Sequence, residues 1–372
     1  MILLYAAGVG LRRGVLHAQF EKIGRDLPFT LESVLHADRI ATVYRTGSLP
    51  ALDRKLEYPH GVENWKTYSL GSEYVYAVLC RILPDAISLR DRIRWVESIW
   101  FCLGIPLMIL WVWLWWRSLG GALVAGAFYA FPLASVIRST GQEVSRENFA
   151  LPILMAHLAL DMAALKAKGR RPFVAYALGS GFCLGLAIMS WDLIQFYVGL
   201  WFVYSVYRLG RGELQRGTRE AVLWRIQFVC VTVACLIHPY LRSHCVILSP
   251  MMLAGFGILA GSFLVSPSRA VRGWRLTAAG LALAAAFGGW CLGGAFSEHY
   301  GHFGELLSAK IVHLNQKPVD PALLTFNQRI MWVPALHSAN MLLTFQLFPA
   351  TLVLGIVSGL ILLPQSRYRS DP

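Results

Sequence analysis

The sequence predicts an all-α polytopic membrane protein, a transmembrane bundle of about ten helical spans. Its 372 residues are 56% hydrophobic and only 15% charged. The mean hydropathy of +0.51 is higher than water-soluble domains of this length show. Thirteen Trp and fourteen Tyr suit two aromatic belts at the membrane interfaces. Together these observations place the chain in the membrane class.

The predicted spans are apolar stretches of roughly 20 residues, the length that crosses a bilayer. They are 1–17, 95–116, 119–138, 148–166, 172–190, 192–208, 223–240, 243–266, 274–296 and 341–363. The first span is the weakest, because Arg12 interrupts it. The segment 71–84 is too short to cross and predicts an interfacial helix. We expect one membrane domain, 1–372, with long loops at 18–94 and 297–340.

The distribution of basic residues predicts the orientation of the bundle. Three connections on one side of the predicted spans are rich in Lys and Arg, at 166–171, 208–219 and 269–275. The positive-inside rule makes that side cytoplasmic. Loops 18–94, 139–147 and 297–340 then lie on the non-cytoplasmic face. Although the net charge is +13, the basic residues form no single patch, which argues against a nucleic-acid partner.

The first long loop contains an acid and a histidine four residues apart, Glu32 and His36. On a helix they share one face. A carboxylate beside a histidine at the membrane surface can act as a general base or bind a metal. The alternative is a solvated amphipathic helix without chemistry.

The second loop combines acids and arginines within ten residues. Glu143 and Glu147 are again four apart, with Arg146 between them and Arg138 ahead of them. The carboxylates could bind a divalent cation, and the arginines could hold a phosphate. The alternative is an ordinary polar loop at the edge of the membrane, with an ion pair inside the loop.

Two further segments carry polar groups on the same predicted face. Asp192, after Trp191, joins two spans with almost no loop, and an acid at that depth is a functional candidate. It could instead cap the helix that follows. The loop 297–340 holds many acids and histidines, but their spacing suits a folded lid as well as a metal site.

Several segments resemble, in chain order, the dumpy-like protein C-mannosyltransferases of the GT-C superfamily, which uses polyprenyl-phosphate sugar donors. The resembling segments, with the family's motifs in parentheses, are FTLE at 29–32 (FRTE), LEYP at 56–59 with NWKTYSL at 64–70 (TEYP and NxxKRFNL), RSTGQE at 138–143 with RENFALP at 146–152 (ST-E and RESFxxP), WDLIQF at 191–196 (WQFAQF) and DPALL at 320–324 (FDTLL). Their order carries the resemblance.

This resemblance implies a GT-C bundle with a long first non-cytoplasmic loop. It implies transfer of a sugar, mannose in that family, from a polyprenyl or dolichyl phosphate to a protein or peptide acceptor at the non-cytoplasmic face. Glu32 matches the family's essential acid and is the expected catalytic residue. The residues expected to bind the donor are His36, Arg138, Arg146, Trp191 and Asp192. No cofactor is expected.

The catalytic subunit of oligosaccharyltransferase is a second match. Its first loop also pairs an acid with a histidine four residues later and ends in a YPxG turn, like 58–61 here, and its SWGG span is similar to Ser190-Trp191. That likeness implies metal-dependent transfer of a lipid-linked oligosaccharide, with Glu32, Glu143 and Glu147 sharing Mn²⁺ or Mg²⁺. The chain is shorter than usual members of either family and contains no WWD motif.

Two other classes of function remain open. A transporter or flippase would also have about ten spans and buried polar groups. The acids here lie in loops on one face and not at mid-membrane, which disfavours that class. An inactive scaffold subunit would fit the short chain.

Overall fold

The structure, a computed structural model, describes residues 1–24, 26–30, 32–215, 217–264, 272–296, 316–324 and 329. The helices and strands are α1 Ile2–Ile23, α2 Glu32–Thr46, β1 Leu52–Asp53, β2 Val62–Glu63, α3 Asn64–Thr67, α4 Ser72–Ile82, α5 Leu89–Cys102, α6 Gly104–Trp116, α7 Leu119–Ala130, α8 Leu133–Arg138, α9 Arg146–Lys166, α10 Arg170–Ser190, α11 Ile194–Arg211, α12 Arg219–Ile237, α13 Pro239–Ser243, α14 Pro250–Leu264 and α15 Arg272–Phe296. Short 3₁₀ turns lie at Val246–Leu248 and Pro321–Leu323. The all-α prediction is confirmed.

Two compact units divide the chain, Met1–Ala130 with Arg138–Ser297 and Phe131–Ile137 with Glu298–Pro372. Every contact discussed below lies in the first unit. Most of the loop 297–340 and the whole predicted span 341–363 lie outside the described residues. The expectation of one membrane domain therefore stays a prediction.

Four of the described helical segments are long and apolar enough to cross a membrane: Leu89–Trp116, Arg146–Lys166, Arg170–Ser190 and Arg219–Ile237. Shorter apolar helices occur at Leu119–Ala130, Pro250–Phe263 and Leu276–Cys291. The predicted count of ten spans is not confirmed. Helix α4 has eleven residues, about 16 Å, so it is too short to cross the hydrocarbon core, as expected for 71–84.

Helices α9, α10 and α12 pack closely because small residues line their contacts. A Cβ on Gly181 would lie 2.8 Å from Sγ of Cys230, so only glycine permits this approach of α10 to α12. Polar side chains join the same helices. Ser180 Oγ lies 2.9 Å from His157 Nδ1 and accepts a 2.8 Å hydrogen bond from Gln227 Nε2. These contacts join the three helices near their middles.

Candidate active site

The second loop, 139–147, is held by buried side chains of the helices beneath it. Arg12 is fully buried and donates to Ser139 Oγ at 2.6 Å. Arg94 donates to the carbonyl of Gly141 at 2.8 Å. Glu97 accepts from Asn148 Nδ2 at 2.6 Å, which fixes the start of α9. Buried charged side chains, which a hydropathy scale would predict to be exposed to water, therefore fix the conformation of this loop.

Arg138 binds both acids of the second loop and lies beside the start of α2; we call Glu32, Arg138, Glu143 and Glu147 the Arg138 cluster. Arg138 Nη1 is 3.8 Å from Glu143 Oε2, and Nη2 bonds Glu147 Oε1. Glu32 is exposed at the first residue of α2, close enough for its charge to act on Arg138. The fold thus brings these four residues together.

Hydrogen bonds join the first loop to this cluster. Thr30 Oγ1 donates to Glu143 Oε1 at 2.9 Å, and Ser33 Oγ donates to Glu143 Oε2 at 3.2 Å. Ser33 Oγ also accepts from the backbone N–H of Val144 at 3.0 Å. The residues on both sides of Glu32 are therefore fixed against the second loop.

A second group of cations surrounds Tyr68; we call Arg39, Tyr68 and Arg146 the Tyr68 cluster. The Cζ atoms of Arg39 and Arg146 lie 3.8 and 5.4 Å from the Tyr68 ring centroid. The two guanidinium carbons therefore lie at most 9.2 Å apart. Within the described part of the chain, Nε and Nη1 of Arg39 and Nε of Arg146 are buried without hydrogen-bond partners.

Asn64 holds Arg39 rigidly in this cluster. Its Oδ1 accepts from Arg39 Nη2 at 3.1 Å, while its Nδ2 donates to the carbonyl of Pro50 at 3.0 Å. Asn64 is fully buried, and Arg39 is 2% exposed. Burial lowers the pKa of Arg39, and the Tyr68 hydroxyl and the charge of Glu73 offset only part of that effect. The cluster is a preorganised cationic site with unused donors.

Glu73, in α4, is the acid that balances part of this charge. It is fully buried, and its Oε1 accepts from His36 Nδ1 at 3.0 Å and lies 4.0 Å from Arg146 Nη2. Ser72 Oγ and the N–H of Gly71 also donate to it, at 2.9 and 3.3 Å. His36 therefore pairs with Glu73 and not with Glu32 on its own helix.

The environment of Glu73 keeps it ionised. Burial alone raises its pKa, but the hydrogen bond from His36 and the charges of His36 and Arg146 outweigh burial and lower the pKa from 4.5 to about 2. A carboxylate whose pKa falls on folding stabilises the fold above the unfolded value. That stabilisation is lost as the pH drops from about 4.5 towards 2.

We expect Glu73→Gln to lower the free energy of unfolding by about 3 kcal/mol at neutral pH, because the pKa change of Glu73 corresponds to that energy. The difference in free energy of unfolding between wild type and variant should disappear as the pH falls below about 4.5. Unfolding in mixed micelles of mild and denaturing detergent, over a pH series, measures it. Glu63→Gln is the control, since Glu63 is exposed and pairs with exposed Lys66. A gap independent of pH would contradict this account of Glu73.

Asp192 and Arg146 both act on Tyr240, in α13. Burial raises the pKa of Tyr240, the charge of Asp192 raises it further, and that of Arg146 opposes both. Asp192 does not cap α11 in the usual way: Leu193 is the N-cap residue, and Asp192 Oδ1 accepts from the N–H of Leu193 at 3.1 Å. Trp191 is half-buried against the helix core. Asp192 thus lies on the Arg146 side of the site.

An apolar cavity of about 450 Å³ is bordered by the segment that follows Tyr68. Helices α4, α5, α6, α9 and α10 line it with apolar side chains, among them Val75, Leu107, Ile153 and Leu186. Gly71, Ser190 and His238 also border it. Gly71 precedes Ser72 at the start of α4, so this part of the wall is continuous with the segment that carries Tyr68. The cavity is suited to a hydrocarbon chain.

Four of the eight predicted site residues form the Arg138 cluster. His36 and Arg146 contact Glu73, Asp192 acts with Arg146 on Tyr240, and Trp191 packs against the helix core. The loop spacing predicted the Arg138 cluster, whereas Arg39, Glu73 and Glu97 carried no sequence signal that set them apart. Among the described residues, no three His, Cys, Asp or Glu side chains lie close enough together to hold a metal ion. Arg138 occupies the space between Glu143 and Glu147, the acids proposed as metal ligands.

Comparisons with known proteins agree with this architecture. The model of the Dpy19 family, described as Q-cell neuroblast polarisation, matches residues 50–366. No curated protein matches the chain significantly. Similar solved structures include the oligosaccharyltransferase AglB from the archaeon Archaeoglobus fulgidus, in complex with an inhibitory peptide and a dolichol-phosphate. Its TM-score is 0.55 at 15% identity, over 81% of this chain and 37% of that one.

The apo form of the oligosaccharyltransferase from Archaeoglobus fulgidus is also similar, with a TM-score of 0.51 at 16% identity, over 91% of this chain and 40% of that one. The chain thus spans about two fifths of the length of these neighbours or less. At such identities the likeness shows the fold, which is the predicted GT-C fold. Because the family model matches well over half of the sequence, the chain belongs to the Dpy19 family.

Proposed function

We propose that this protein is a GT-C glycosyltransferase that moves mannose from a polyprenyl phosphate to a protein acceptor at the non-cytoplasmic face. One observation carries the proposal: in a member of the Dpy19 family, the exposed carboxylate of Glu32 acts on Arg138, and the loop that follows Arg138 leads to Arg146, which lies over Tyr68. An acid beside cationic donors is the combination that transfer from a lipid phosphate requires.

In the proposed reaction, the bond between the anomeric carbon of the sugar and the phosphate oxygen breaks. The polyprenyl phosphate leaves with the electron pair, and the anomeric carbon forms a new bond to the acceptor atom. Glu32 accepts the proton that the acceptor loses. Charge develops on the leaving phosphate, where guanidinium donors stabilise it.

Arg146 is the better phosphate ligand of the two predicted arginines. Arg138 is engaged by Glu143 and Glu147, whereas Nε of Arg146 has no partner in the described residues. The guanidinium of Arg39 also lies against the Tyr68 ring, and its Nε and Nη1 are two further donors without partners in the described residues. A phosphate beside Tyr68 would use these donors and offset buried positive charge.

A donor panel tests the proposal. Purified protein in lipid vesicles is given mannosyl polyprenyl phosphate, a nucleotide-linked mannose or a lipid-pyrophosphate oligosaccharide, each with an acceptor peptide mixture. We expect consumption of the first donor alone, unaffected by a chelator. Consumption of the oligosaccharide donor with a Mn²⁺ requirement would favour the oligosaccharyltransferase-like alternative, which the similar fold of AglB supports. Movement of intact lipid across the vesicle without transfer would favour a flippase.

The orientation of the helical bundle in the membrane can be tested by cysteine labelling. A cysteine at Ser48, which is exposed after α2, should react with a membrane-impermeant thiol reagent added outside intact cells. A cysteine at Ser118, exposed beside Arg117 on the predicted cytoplasmic side, should react only after permeabilisation. The parent chain, which retains its own free cysteines, gives the background. Labelling of the position 48 variant only after permeabilisation would place the first loop inside.

A further inference from the structure

A second cavity, of about 520 Å³, lies between the C-terminal half of α1 and the beginning of α5; we call it the α1–α5 groove. Three charged or titratable residues of α1, each four after the last, line it: Arg13, His17 and Glu21. Asp91 and Trp95, also four apart, line it from α5. Residues four apart share one face of a helix, so each helix presents one face to the groove. None of these residues enters the proposed transfer reaction.

Arg13 brings an unused hydrogen-bond donor into the groove. Its Cζ lies 3.5 Å from the centroid of the Trp95 ring, which fixes the guanidinium against α5. Within the ranges that the structure describes, its buried Nη1 has no hydrogen-bond partner. The adjacent Arg12 is engaged, since it donates to Ser139 Oγ and to the carbonyl of Ala130. A buried donor without a partner is costly, so Arg13 favours an anionic ligand in the groove.

The two acids of the groove differ in their availability. Asp91 acts on Arg13 through its charge but is also paired, because its Oδ1 lies 3.0 Å from Arg94 Nη1. Glu21 is exposed, and its Oε1 lies 3.3 Å from Nδ1 of the exposed His17. Glu21 follows Arg13 by eight residues, about two turns nearer the end of α1 that leads into the first loop. The groove therefore has a cation on its inner side and an acid on its loop side.

This order of charges matches the head group of a zwitterionic phospholipid. In such a lipid the phosphate joins the glycerol, and the ammonium extends from the phosphate towards water. The face of α1 that carries Arg13 continues away from the loop in the exposed apolar residues Ala6 and Ile2, seven and eleven positions earlier. That surface is suited to an acyl chain. The size of the groove is within the range of small-ligand sites.

We propose that the α1–α5 groove binds the head group of a zwitterionic phospholipid of the surrounding bilayer, with the phosphate at Arg13 and the ammonium beside Glu21. The inference depends on the membrane class of the chain and not on the proposed transfer reaction. A lipid bound here contacts both α1 and α5. It would stabilise the position of α1, whose Arg12 fixes the second loop through Ser139.

Binding of four probes to the purified chain in detergent, followed by native mass spectrometry, tests the proposal: phosphatidylethanolamine, phosphatidylglycerol, diacylglycerol and soluble phosphoethanolamine. We expect phosphatidylethanolamine to bind most tightly. Arg13→Met should weaken its binding about ten- to hundredfold, the range for a lost hydrogen bond to a charged group. Lys22→Met is the matched control, because Lys22 is exposed on the same helix and does not line the groove. It should leave binding unchanged.

Two further variants test the ammonium contact and the location of the site. Glu21→Gln should remove the preference for phosphatidylethanolamine over phosphatidylglycerol. This preference should be about two- to fivefold, since Glu21 is exposed to solvent. Ile87→Trp places a larger side chain in the wall of the groove and should weaken the binding of both phospholipids. Thermal unfolding of each variant shows that it is folded.

Each part of the proposal has a result that would overturn it. Unchanged phosphatidylethanolamine binding in Arg13→Met would overturn the phosphate contact, and unchanged binding in Ile87→Trp would overturn the location. Phosphatidylglycerol bound as tightly as phosphatidylethanolamine by the wild-type chain would overturn the contact with Glu21. Phosphoethanolamine bound as tightly as the lipid would assign the groove to a soluble ligand and overturn the lipid site.

Discussion

Replacing Glu32 by Gln is expected to lower the rate of sugar transfer about a hundredfold to ten-thousandfold, the usual loss when a general base is removed. Gln keeps the size and hydrogen-bonding capacity of the side chain but cannot accept a proton at neutral pH. Glu32 is exposed in the first turn of α2, where its charge acts on Arg138, so its carboxylate is open to an acceptor.

The control for this prediction is Asp38→Asn, which removes an exposed acid from the same helix. It should leave transfer unchanged. Glu32 is exposed and pairs with no buried group, so neither variant should alter the unfolding of the chain appreciably. Transfer that survives Glu32→Gln within a few-fold would remove Glu32 from the mechanism and point to a different base.

Replacing Arg146 by Met should lower the rate of transfer about a hundredfold to a thousandfold, the loss typical of removing one donor from a developing negative charge. Arg146 lies over Tyr68 and close to Glu73, so its guanidinium is preorganised before the phosphate leaves. Arg146→Lys should recover only part of the rate, because lysine offers a point charge and not a planar fork.

Arg45→Met is the matched control, since Arg45 is exposed at the end of α2. It should not affect transfer. Initial rates over a range of donor concentrations separate binding from the chemical step. A rise in KM without a fall in kcat would show that Arg146 binds the donor equally in its ground and transition states. A variant with unchanged kinetics would assign the phosphate to another part of the chain.

The spacing of residues along the chain predicted the contacts that form within one short loop. Glu143 and Glu147 lie within a few residues of Arg138, so the chain brings all three together over a short loop. The resemblance to GT-C enzymes added Glu32, whose neighbours Thr30 and Ser33 contact Glu143. Contacts of this kind follow from motif order and loop length.

Long-range partners could not be predicted from spacing. His36 shares a helix face with Glu32, yet its partner is Glu73, which lies 37 residues away in the chain. Glu73 sits in a segment that resembles an ordinary interfacial helix, and nothing nearby indicates that it is fully buried. Arg39 likewise becomes a site residue only because Asn64 and Tyr68 fold back onto it.

Hydropathy located the apolar helices, and the helical segment that contains the predicted span 95–116 begins six residues earlier, at Leu89. The predicted span begins at residue 95, because arginines at 92 and 94 reduce the local hydropathy. The helix begins at Leu89, where Ser88 caps it by accepting from the N–H of Asp91 at 3.2 Å. Both arginines are buried, because the loops supply carbonyls and carboxylates for their guanidiniums. A sequence scale contains no information on such partners.

The central claim is that this chain transfers mannose from a polyprenyl phosphate to protein, and mass spectrometry of the acceptor tests it most directly. Purified wild-type chain in vesicles is incubated with isotope-labelled mannosyl polyprenyl phosphate and a peptide mixture. The account predicts peptides that carry one labelled hexose with wild type and none above background with Glu32→Gln. Unlabelled peptides with the wild-type chain, under conditions where it binds the donor, would contradict the account.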